Sequence, residues 1–335
     1  METPFTDLAG IDHPIVQAPI GSATCPELAA AVSNAGGLGH LAVTWRDLND
    51  TRDAIARTRD LTDRPFAVNL VLDEATTQRP TSDHLAACLD AGAEVVSLSF
   101  GDAAPYVERV HDAGGVVLQT VGSAAEARDA AAAGVDAVVA QGWEAGGHVQ
   151  SEVATMPLVP RVTDAVDVPV VAAGGIADGR GIAAALALGA DAAWLGTRFV
   201  ATEEANVHRA YRERVTDADE TATVHTDLFD KGWPGTPHRV VENETVELWR
   251  ETDEPSPGDR PGEDEVVATT GGGDQIERYS EALATPDVDG DVDAMALFAG
   301  QSAGLTGEVS PAADVVGDLV TESEAAIDRI SGLRS

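Results

Sequence analysis

The chain has 335 residues, of which 44% are hydrophobic and 4% aromatic, so its core must be built mostly from Ala, Val and Leu. This length allows one large domain or two smaller ones. The formal net charge is -36, and Lys231 is the only lysine. Such a field repels nucleic acid and anionic membranes, so we expect neither as a partner. The evenly spread acidity predicts a halophilic protein that works in concentrated salt.

Cysteine content and the amino terminus point to the inside of the cell. Cys25 and Cys88 are too few for a disulfide scaffold, and we interpret Cys25 as a packing residue. The first ten residues have neither the basic nor the apolar region of a signal peptide. No run approaches the roughly 18 apolar residues of a membrane span. We therefore expect a soluble, cytoplasmic protein.

Short apolar runs recur up to about residue 200, and each is followed by a turn and then an Ala-rich segment at helical spacing. Gly precedes some runs and Pro the others, as expected after a helix end or at a strand start. Nearly continuous apolar runs indicate parallel strands buried on both faces. The runs are residues 15–20, 38–43, 66–72, 93–100, 116–120, 135–141, 170–176 and 190–196. This pattern predicts an α/β fold, the (β/α)8 TIM barrel. An open doubly wound sheet is less favoured, because no GxGxxG motif follows the first run.

The helical segments and the second half of the chain complete the predicted organisation. Predicted helix features are Pro26 in a first turn, a capping box from Ser123 to Glu126, and helices over 163–166, 180–188 and 203–215. The predicted barrel spans residues 1–215. Residues 216–310 are predicted to form an extension over the barrel mouth, with an acidic loop at 251–264 and a hairpin of 266–270 with 275–279. Residues 311–335 are predicted to be a C-terminal helix packed on the barrel.

Glycines stand where the last predicted strands end, at the barrel rim that holds ligands. Gly174 and Gly175 end the seventh strand, and Gly196 with Thr197 ends the eighth. Glycine lets backbone N–H groups approach phosphate oxygens, and the Thr197 hydroxyl can donate as well. The alternative is that these glycines only make tight turns. Together with the loop of Gly146 and Gly147, they predict a site for a phosphate-bearing ligand.

One histidine lies on that rim, directly after Gly146 and Gly147. His148 is the candidate for acid–base work, because imidazole titrates near neutral pH. Glu144 could orient it or could be solvated. We interpret Trp143 and Trp233 as packing residues, although either could cover a planar ligand. No two histidines have metal-ligand spacing with a carboxylate, so we predict no metal site.

Polar residues also stand within or at the ends of the other predicted strands. Pro19 and Ile20 end the first strand, Asn69 lies in the third, Gln119 ends the fifth and Gln141 ends the sixth. A buried amide needs hydrogen-bond partners. The edge of a flavin ring would supply them, and so would the protein backbone.

Five segments together resemble the nitronate monooxygenase family, once called 2-nitropropane dioxygenases. They are His13–Ile20, Phe66–Asn69, Gln141–His148, Ala172–Gly179 and Leu195–Phe199. The resemblance covers residues 5–215, with a weaker echo at Ala299–Leu305 that could reach back over the barrel mouth. Similar signatures occur in flavin-dependent enoyl-acyl-carrier-protein reductases and in NAD(P)H:quinone reductases.

The resemblance implies an FMN-dependent barrel that oxidises alkyl nitronates with O2 to a carbonyl compound and nitrite, with His148 as the base. It implies FMN contacts at Asn69, Gln141, Gly146, Gly175, Gly196, Thr197 and Ser302. The sequence departs from the family at Gln150, where glycine is common, and at Ile20, where methionine is common. Both departures bear on substrate preference rather than on flavin binding.

Other functions stay open at this stage. They are an NAD(P)H-dependent flavin reductase of a quinone or enoyl thioester, a flavin-free lyase or isomerase with a phosphorylated substrate, and a non-catalytic flavin-binding module. Each of these would bind a small molecule. A homo-oligomer also stays open.

Overall fold

The chain alternates strands and helices along its first 200 residues, and the computed structural model describes residues 1–334. The strands are β1 (Ile15–Gln17), β2 (Gly39–Ala42), β3 (Phe66–Val71), β4 (Val95–Ser99), β5 (Val116–Val121), β6 (Ala137–Gln141), β7 (Gly147–His148), β8 (Val170–Ala173), β9 (Ala192–Leu195), β10 (Thr223–Thr226), β11 (His238–Val241), β12 (Val266–Thr269), β13 (Gln275–Glu277) and β14 (Asp289–Gly290). The helices are α1 (Pro4–Ala9), α2 (Pro26–Asn34), α3 (Leu48–Leu61), α4 (Thr81–Asp90), α5 (Ala104–Asp112), α6 (Ala124–Ala133), α7 (Thr155–Thr163), α8 (Gly179–Ala187), α9 (Thr197–Val200), α10 (Arg209–Thr216), α11 (Glu244–Glu251) and α12 (Ala312–Ser331).

The predicted strands pair into one parallel sheet in the order β1-β9-β8-β6-β5-β4-β3-β2. A parallel bridge between Val16 and Leu38 joins β1 to the start of β2 and closes the sheet into a barrel. Each of these strands falls on one predicted run, and β5 extends one residue beyond its run. The predicted TIM barrel with a C-terminal extension is confirmed.

Alternate side chains of the strands fill the barrel interior, as the two-residue period of a strand requires. This buried cluster includes Val16, Ala67, Leu118, Val139, Val171 and Trp194. The same cluster contains Phe5 and Ala9 of α1, so this short helix closes the amino-terminal end of the barrel. Ligand access is left to the opposite end.

Two helices differ from their predicted positions. The helix predicted at 163–166 is α7, which begins at Thr155 because the Glu144 carboxylate accepts a 2.8 Å hydrogen bond from the Thr155 N–H. The helix predicted at 203–215 begins at Arg209, after His208. The His208 N–H instead donates to the Ala284 carbonyl, and residues 201–208 form a turn, a bridge and bends rather than a helix.

The extension contributes two small sheets. Strands β12 and β13 pair antiparallel, and β14 adds to them. Strands β10 and β11 form a second sheet with β7, a two-residue strand that lies in the loop after β6. The extension is therefore continuous, through backbone pairing, with the loop that carries His148.

The C-terminal helix α12 packs against α8 and α2. The Glu322 carboxylate accepts a 2.9 Å hydrogen bond from the Gly179 N–H, at the start of α8.

The domain limits at residues 215 and 310 stay a prediction. Ser335, the end of the predicted last segment, lies outside the described residues. Across residues 1–334, no helix combines the length and the apolar character that crossing a bilayer requires.

We expect the stability of this fold to depend on salt. The chain has 57 acidic and only 21 basic residues, so its acidic groups repel one another. Raising KCl from about 0.1 M to about 2 M shortens the screening length and should raise the melting temperature by at least about 5 °C. The measurement is thermal unfolding followed by circular dichroism. A neutral osmolyte at equal osmolality is the control, and an equal rise in both would contradict a charge-based, halophilic adaptation.

Candidate active site

A cavity of about 470 Å³ opens at the carboxyl ends of the barrel strands. The sequence-predicted residues that line it are Pro19, Ile20, Asn69, Gln141, Gly146, Gly147, His148, Gly174, Gly175, Gly196, Thr197 and Ser302. The extension completes the wall with residues 231–233, 280–283 and Phe298. Concave, partly apolar cavities of this size are typical of small-molecule sites.

Gln119 is the predicted site residue that the structure does not bring to the cavity. Its neighbours Leu118 and Thr120 face the barrel interior and the cavity, respectively. Strand alternation therefore turns Gln119 to the other face, where its Nε2 donates a 2.9 Å hydrogen bond to the Gly101 carbonyl. Gln119 is not part of the candidate site, and Thr120 lines the cavity in its place.

The rim glycines fall into two kinds. A Cβ on Gly146 would lie 2.3 Å from the Gly300 nitrogen, so this glycine is required by close backbone packing. A Cβ on Gly196 would meet only the Ala18 Cβ, at 3.5 Å. Gly175 has φ +72 and an equally open surrounding, its nearest contact being the Glu144 Cβ at 3.5 Å. Gly175 and Gly196 thus leave room beside the backbone, whereas Gly146 does not.

The segment after Phe298 returns to the barrel rim through backbone hydrogen bonds. The Gly300 N–H donates to Thr197 Oγ1 at 2.9 Å, and the Gln301 N–H donates to the Glu144 carbonyl at 3.0 Å. Because Thr197 Oγ1 accepts the first of these bonds, its own proton stays available to a ligand. The same segment brings Ser302 into the cavity wall.

The two amides on the cavity wall have different duties. Asn69 Nδ2 donates to Ser97 Oγ at 2.9 Å, and its Oδ1 has no hydrogen-bond partner within residues 1–334. Gln141 uses both ends of its amide on the His148 loop, since Nε2 donates to the His148 carbonyl and Oε1 accepts from the Gln150 N–H. Asn69 can therefore still bind a ligand through Oδ1, whereas Gln141 holds the loop.

The Gln150 side chain is also structural. Its Oε1 accepts a 3.2 Å hydrogen bond from the Phe100 N–H, and its Nε2 donates to the Glu126 carboxylate at 2.5 Å. Ser123 caps α6 by accepting a hydrogen bond from the Glu126 N–H, but the Glu126 carboxylate accepts from the Gly122 N–H and the Ser123 hydroxyl, so only half of the predicted capping box forms. The Gln150 side chain, where glycine is common in the family, therefore ties the His148 loop to the end of β4 and to α6.

Strand β7 places His148 among aromatic rings. The imidazole centroid lies 4.2 Å from that of Trp233, 5.4 Å from that of His238 and 5.5 Å from that of Phe298. His238 is its partner across the β7–β11 pairing. Trp233 is fixed in turn by a 2.8 Å hydrogen bond from its Nε1 to Asp73 Oδ2. Trp233 therefore lines the cavity and covers His148, beyond the packing role predicted for it.

Burial controls the protonation of the two titratable groups that face each other here. Desolvation, with a smaller repulsion from His238, lowers the pKa of His148 to about 3, so its imidazole is neutral at physiological pH. Desolvation raises the pKa of Glu281 to about 7, and the smaller, opposite effect of the Thr76 side chain does not cancel this rise. Glu281 Oε2 lies 3.5 Å from His148 Nε2, and the neutral imidazole makes this a contact rather than an ion pair.

Glu144 neither contacts His148 nor extends into solvent, the two alternatives that the sequence left open for it. The contacts of its carboxylate are with Thr155. Both of its carboxylate oxygens accept from the Thr155 N–H, and Oε2 accepts from the Thr155 hydroxyl, so it caps α7. Trp143 packs under the Arg239 guanidinium, 4.2 Å from the ring centroid, as predicted.

Among residues 1–334, no group of three or more His, Cys, Asp or Glu side chains is arranged to hold a metal ion.

The sequence analysis did not single out Glu281 and Phe298, which the extension contributes to the cavity wall. Phe298 directly precedes Ala299–Leu305, which the sequence had connected with the barrel mouth, so its neighbourhood was a usable signal. Glu281 stands in an irregular segment with no motif, and one acid among 57 acidic residues gives no signal.

The fold and the cavity define a barrel enzyme that acts on a small molecule. A sequence profile described as nitronate monooxygenase matches residues 2–322. The chain belongs to the nitronate monooxygenase family, and it is an oxidoreductase. The predicted family and the predicted enzyme class are thereby confirmed.

Individual relatives cover most of the chain. It is 34% identical to a nitronate monooxygenase of Paraburkholderia phytofirmans, over 96% of this chain and 95% of that protein. It is 41% identical to the (3aS,4S,5R,7aS)-5-hydroxy-7a-methyl-1-oxo-octahydro-1H-indene-4-carboxyl-CoA dehydrogenase of Mycobacterium tuberculosis, over 74% of this chain and 68% of that protein. The structure of FabK from Thermotoga maritima superposes with a TM-score of 0.85 at 35% identity, over 99% of both chains.

The two kinds of rim glycine predict opposite responses to a methyl group. Gly146→Ala should lower the free energy of unfolding by about 1–3 kcal/mol, because its Cβ would push residues 299 and 300 from the rim. Gly196→Ala is the matched control and should change stability by less than about 1 kcal/mol. Denaturant unfolding measures both, and equal losses would contradict the distinction.

Proposed function

We propose that the cavity binds FMN and that the enzyme oxidises alkyl nitronates with O2. The phosphate would lie against the open backbone at Gly175 and Gly196 and the hydroxyl of Thr197. Asn69 Oδ1 would meet a donor on the ring edge. These groups suit the cofactor. The backbone N–H groups and the hydroxyl can donate to phosphate oxygens, and Asn69 Oδ1 can accept from a ring N–H.

Bound FMN would supply the redox chemistry, taking electrons from the substrate and delivering them to O2. The contribution of the chain is to orient the substrate, to exclude water with Trp233 and Phe298, and to handle protons through His148. A nitronate arrives already deprotonated, whereas a neutral nitroalkane must first lose its α proton. A neutral imidazole can accept that proton without first losing one of its own.

The observation that carries this proposal is the setting of His148. It lines the cavity, it is held by β7 and Gln141, and burial keeps it neutral. A lyase or isomerase acting on a phosphorylated substrate would not require the aromatic enclosure formed by Trp233 and Phe298. The family membership also favours redox chemistry over that alternative and over a non-catalytic module.

A reductase of acyl thioesters is the second candidate. It is favoured by the 41% identity to a protein named as a carboxyl-CoA dehydrogenase and by the similarity to FabK. In this reaction NAD(P)H would donate electrons through the same cofactor, and His148 would again handle a proton next to a carbonyl group.

An anaerobic reduction panel separates the two candidates. The purified protein should be yellow, should release FMN on heating, and should lose its flavin absorbance faster with propionate 3-nitronate than with NADH. Stopped-flow absorbance measures both rates. A preparation that is colourless and takes up no FMN would overturn the cofactor proposal, and bleaching by NADH alone would favour the reductase.

His148→Gln should retain FMN, because the residues proposed to hold the phosphate are elsewhere. With a neutral nitroalkane as substrate, we expect kcat to fall by about 10²- to 10⁴-fold, the usual contribution of a positioned base. Oxygen consumption measures this rate, and flavin content checks the cofactor. An unchanged kcat would remove His148 from the mechanism.

A further inference from the structure

Glu281 lies beside His148 in the cavity wall, although no motif connects the two residues. Its Oε2 is 3.5 Å from His148 Nε2, and the side chains are 17% and 12% exposed, respectively. Nε2 is buried and has no hydrogen-bond partner within residues 1–334. The imidazole therefore directs an unsatisfied nitrogen at a carboxylate while its side chain lines the cavity.

The backbone around Glu281 holds its carboxylate in this position. The Glu281 N–H donates to the Lys231 carbonyl at 3.2 Å. A Cβ on Gly232 would lie 2.4 Å from Glu281 Oε1, and Gly232 has φ +118, so only glycine allows this approach. The Thr76 side chain favours the charged form of this carboxylate and partly offsets the effect of burial on its pKa.

The other charged or titratable groups nearby are engaged elsewhere. Lys231 Nζ donates to Glu277 Oε2 at 2.6 Å, and Asp73 Oδ2 accepts from Trp233 Nε1. His238 Nε2 accepts from the Phe229 N–H while Nδ1 faces the Thr236 carbonyl, which fixes a neutral tautomer. The imidazole of His148 is left as the group that can respond to the Glu281 carboxylate.

We propose that Glu281 is the positioning residue of His148, accepting a hydrogen bond from Nε2–H and thereby keeping Nδ1 free to take a proton from a carbon acid. In that step the substrate C–H bond breaks and an N–H bond forms at Nδ1. The electron pair stays on the substrate and delocalises into its nitro group. The imidazolium that results is stabilised by the carboxylate, and the 3.5 Å contact shortens as charge develops.

This inference rests on the proposed function for its substrate class, and it predicts a pH dependence of definite sign. The pKa of Glu281 is raised to about 7, so the carboxylate form gains population as pH rises through that value. His148 stays neutral on both sides of pH 7, because its pKa is about 3. The kcat for a neutral nitroalkane should therefore rise as pH increases through about 7, and Glu281 should cause the rise.

Glu281→Gln tests the charge while keeping the size of the side chain, and Glu251→Gln is the control. Glu251 is an exposed acid at the end of α11, outside the cavity wall, and its variant removes the same charge. Freshly dissolved nitroethane and ethyl nitronate are compared from about pH 6 to about pH 8. We expect the kcat ratio of nitroethane to nitronate to fall at least about tenfold in Glu281→Gln, with loss of the rise near pH 7. Glu251→Gln should keep both.

Exchange of the nitroethane α protons with D2O, followed by NMR without oxygen, measures proton removal apart from oxidation. Glu281→Gln should slow the exchange by the same factor, and Glu281→Asp should restore part of it. An equal loss with both substrates, or a retained rise near pH 7, would overturn the role of Glu281. Exchange without oxidation of either substrate in the parent enzyme would instead overturn the proposed function and leave the pair intact.

Discussion

The antiparallel pairing of β7 with β11 is the interaction on which the candidate site depends. It sets His148 opposite His238 and Gly147 opposite Arg239. The Gln141 side chain supports the same loop through the His148 carbonyl and the Gln150 N–H. Each backbone hydrogen bond contributes about 1 kcal/mol net, so the position of the imidazole depends on several weak bonds acting together. Segment 299–301 reinforces them by bonding to Arg239, Thr197 and Glu144.

The same pairing brings the extension over the barrel mouth, which changes the electrostatics of the site. Trp233 and Phe298 pack against the His148 ring, and its side chain is largely buried. Loss of solvation lowers the pKa of His148 and raises that of Glu281. The imidazole is therefore neutral at physiological pH, and the facing carboxyl titrates near neutral pH.

The rim also shows that one residue type serves different physical needs. Gly146 allows the returning segment to pack against the loop, and Gly196 leaves its surroundings open. The returning segment uses the acceptor of Thr197 and leaves the donor. Packing of the protein on itself and space for a ligand are therefore interleaved within a few residues of each other at the barrel mouth.

The sequence by itself indicated parallel strands covered on both faces, because nearly continuous apolar runs alternate with helical segments, and eight such units without a GxGxxG motif favoured the barrel over an open sheet. It also located His148 and the glycines after β8 and β6, since strand ends are local features. Gln119 was misplaced, because one residue of strand register decides which face a side chain occupies. The contact of Glu281 with His148 and the pairing of β7 with β11 were decided by tertiary structure alone. Both join segments about ninety or more residues apart, and no local sequence pattern indicates which distant strand a two-residue strand will pair with.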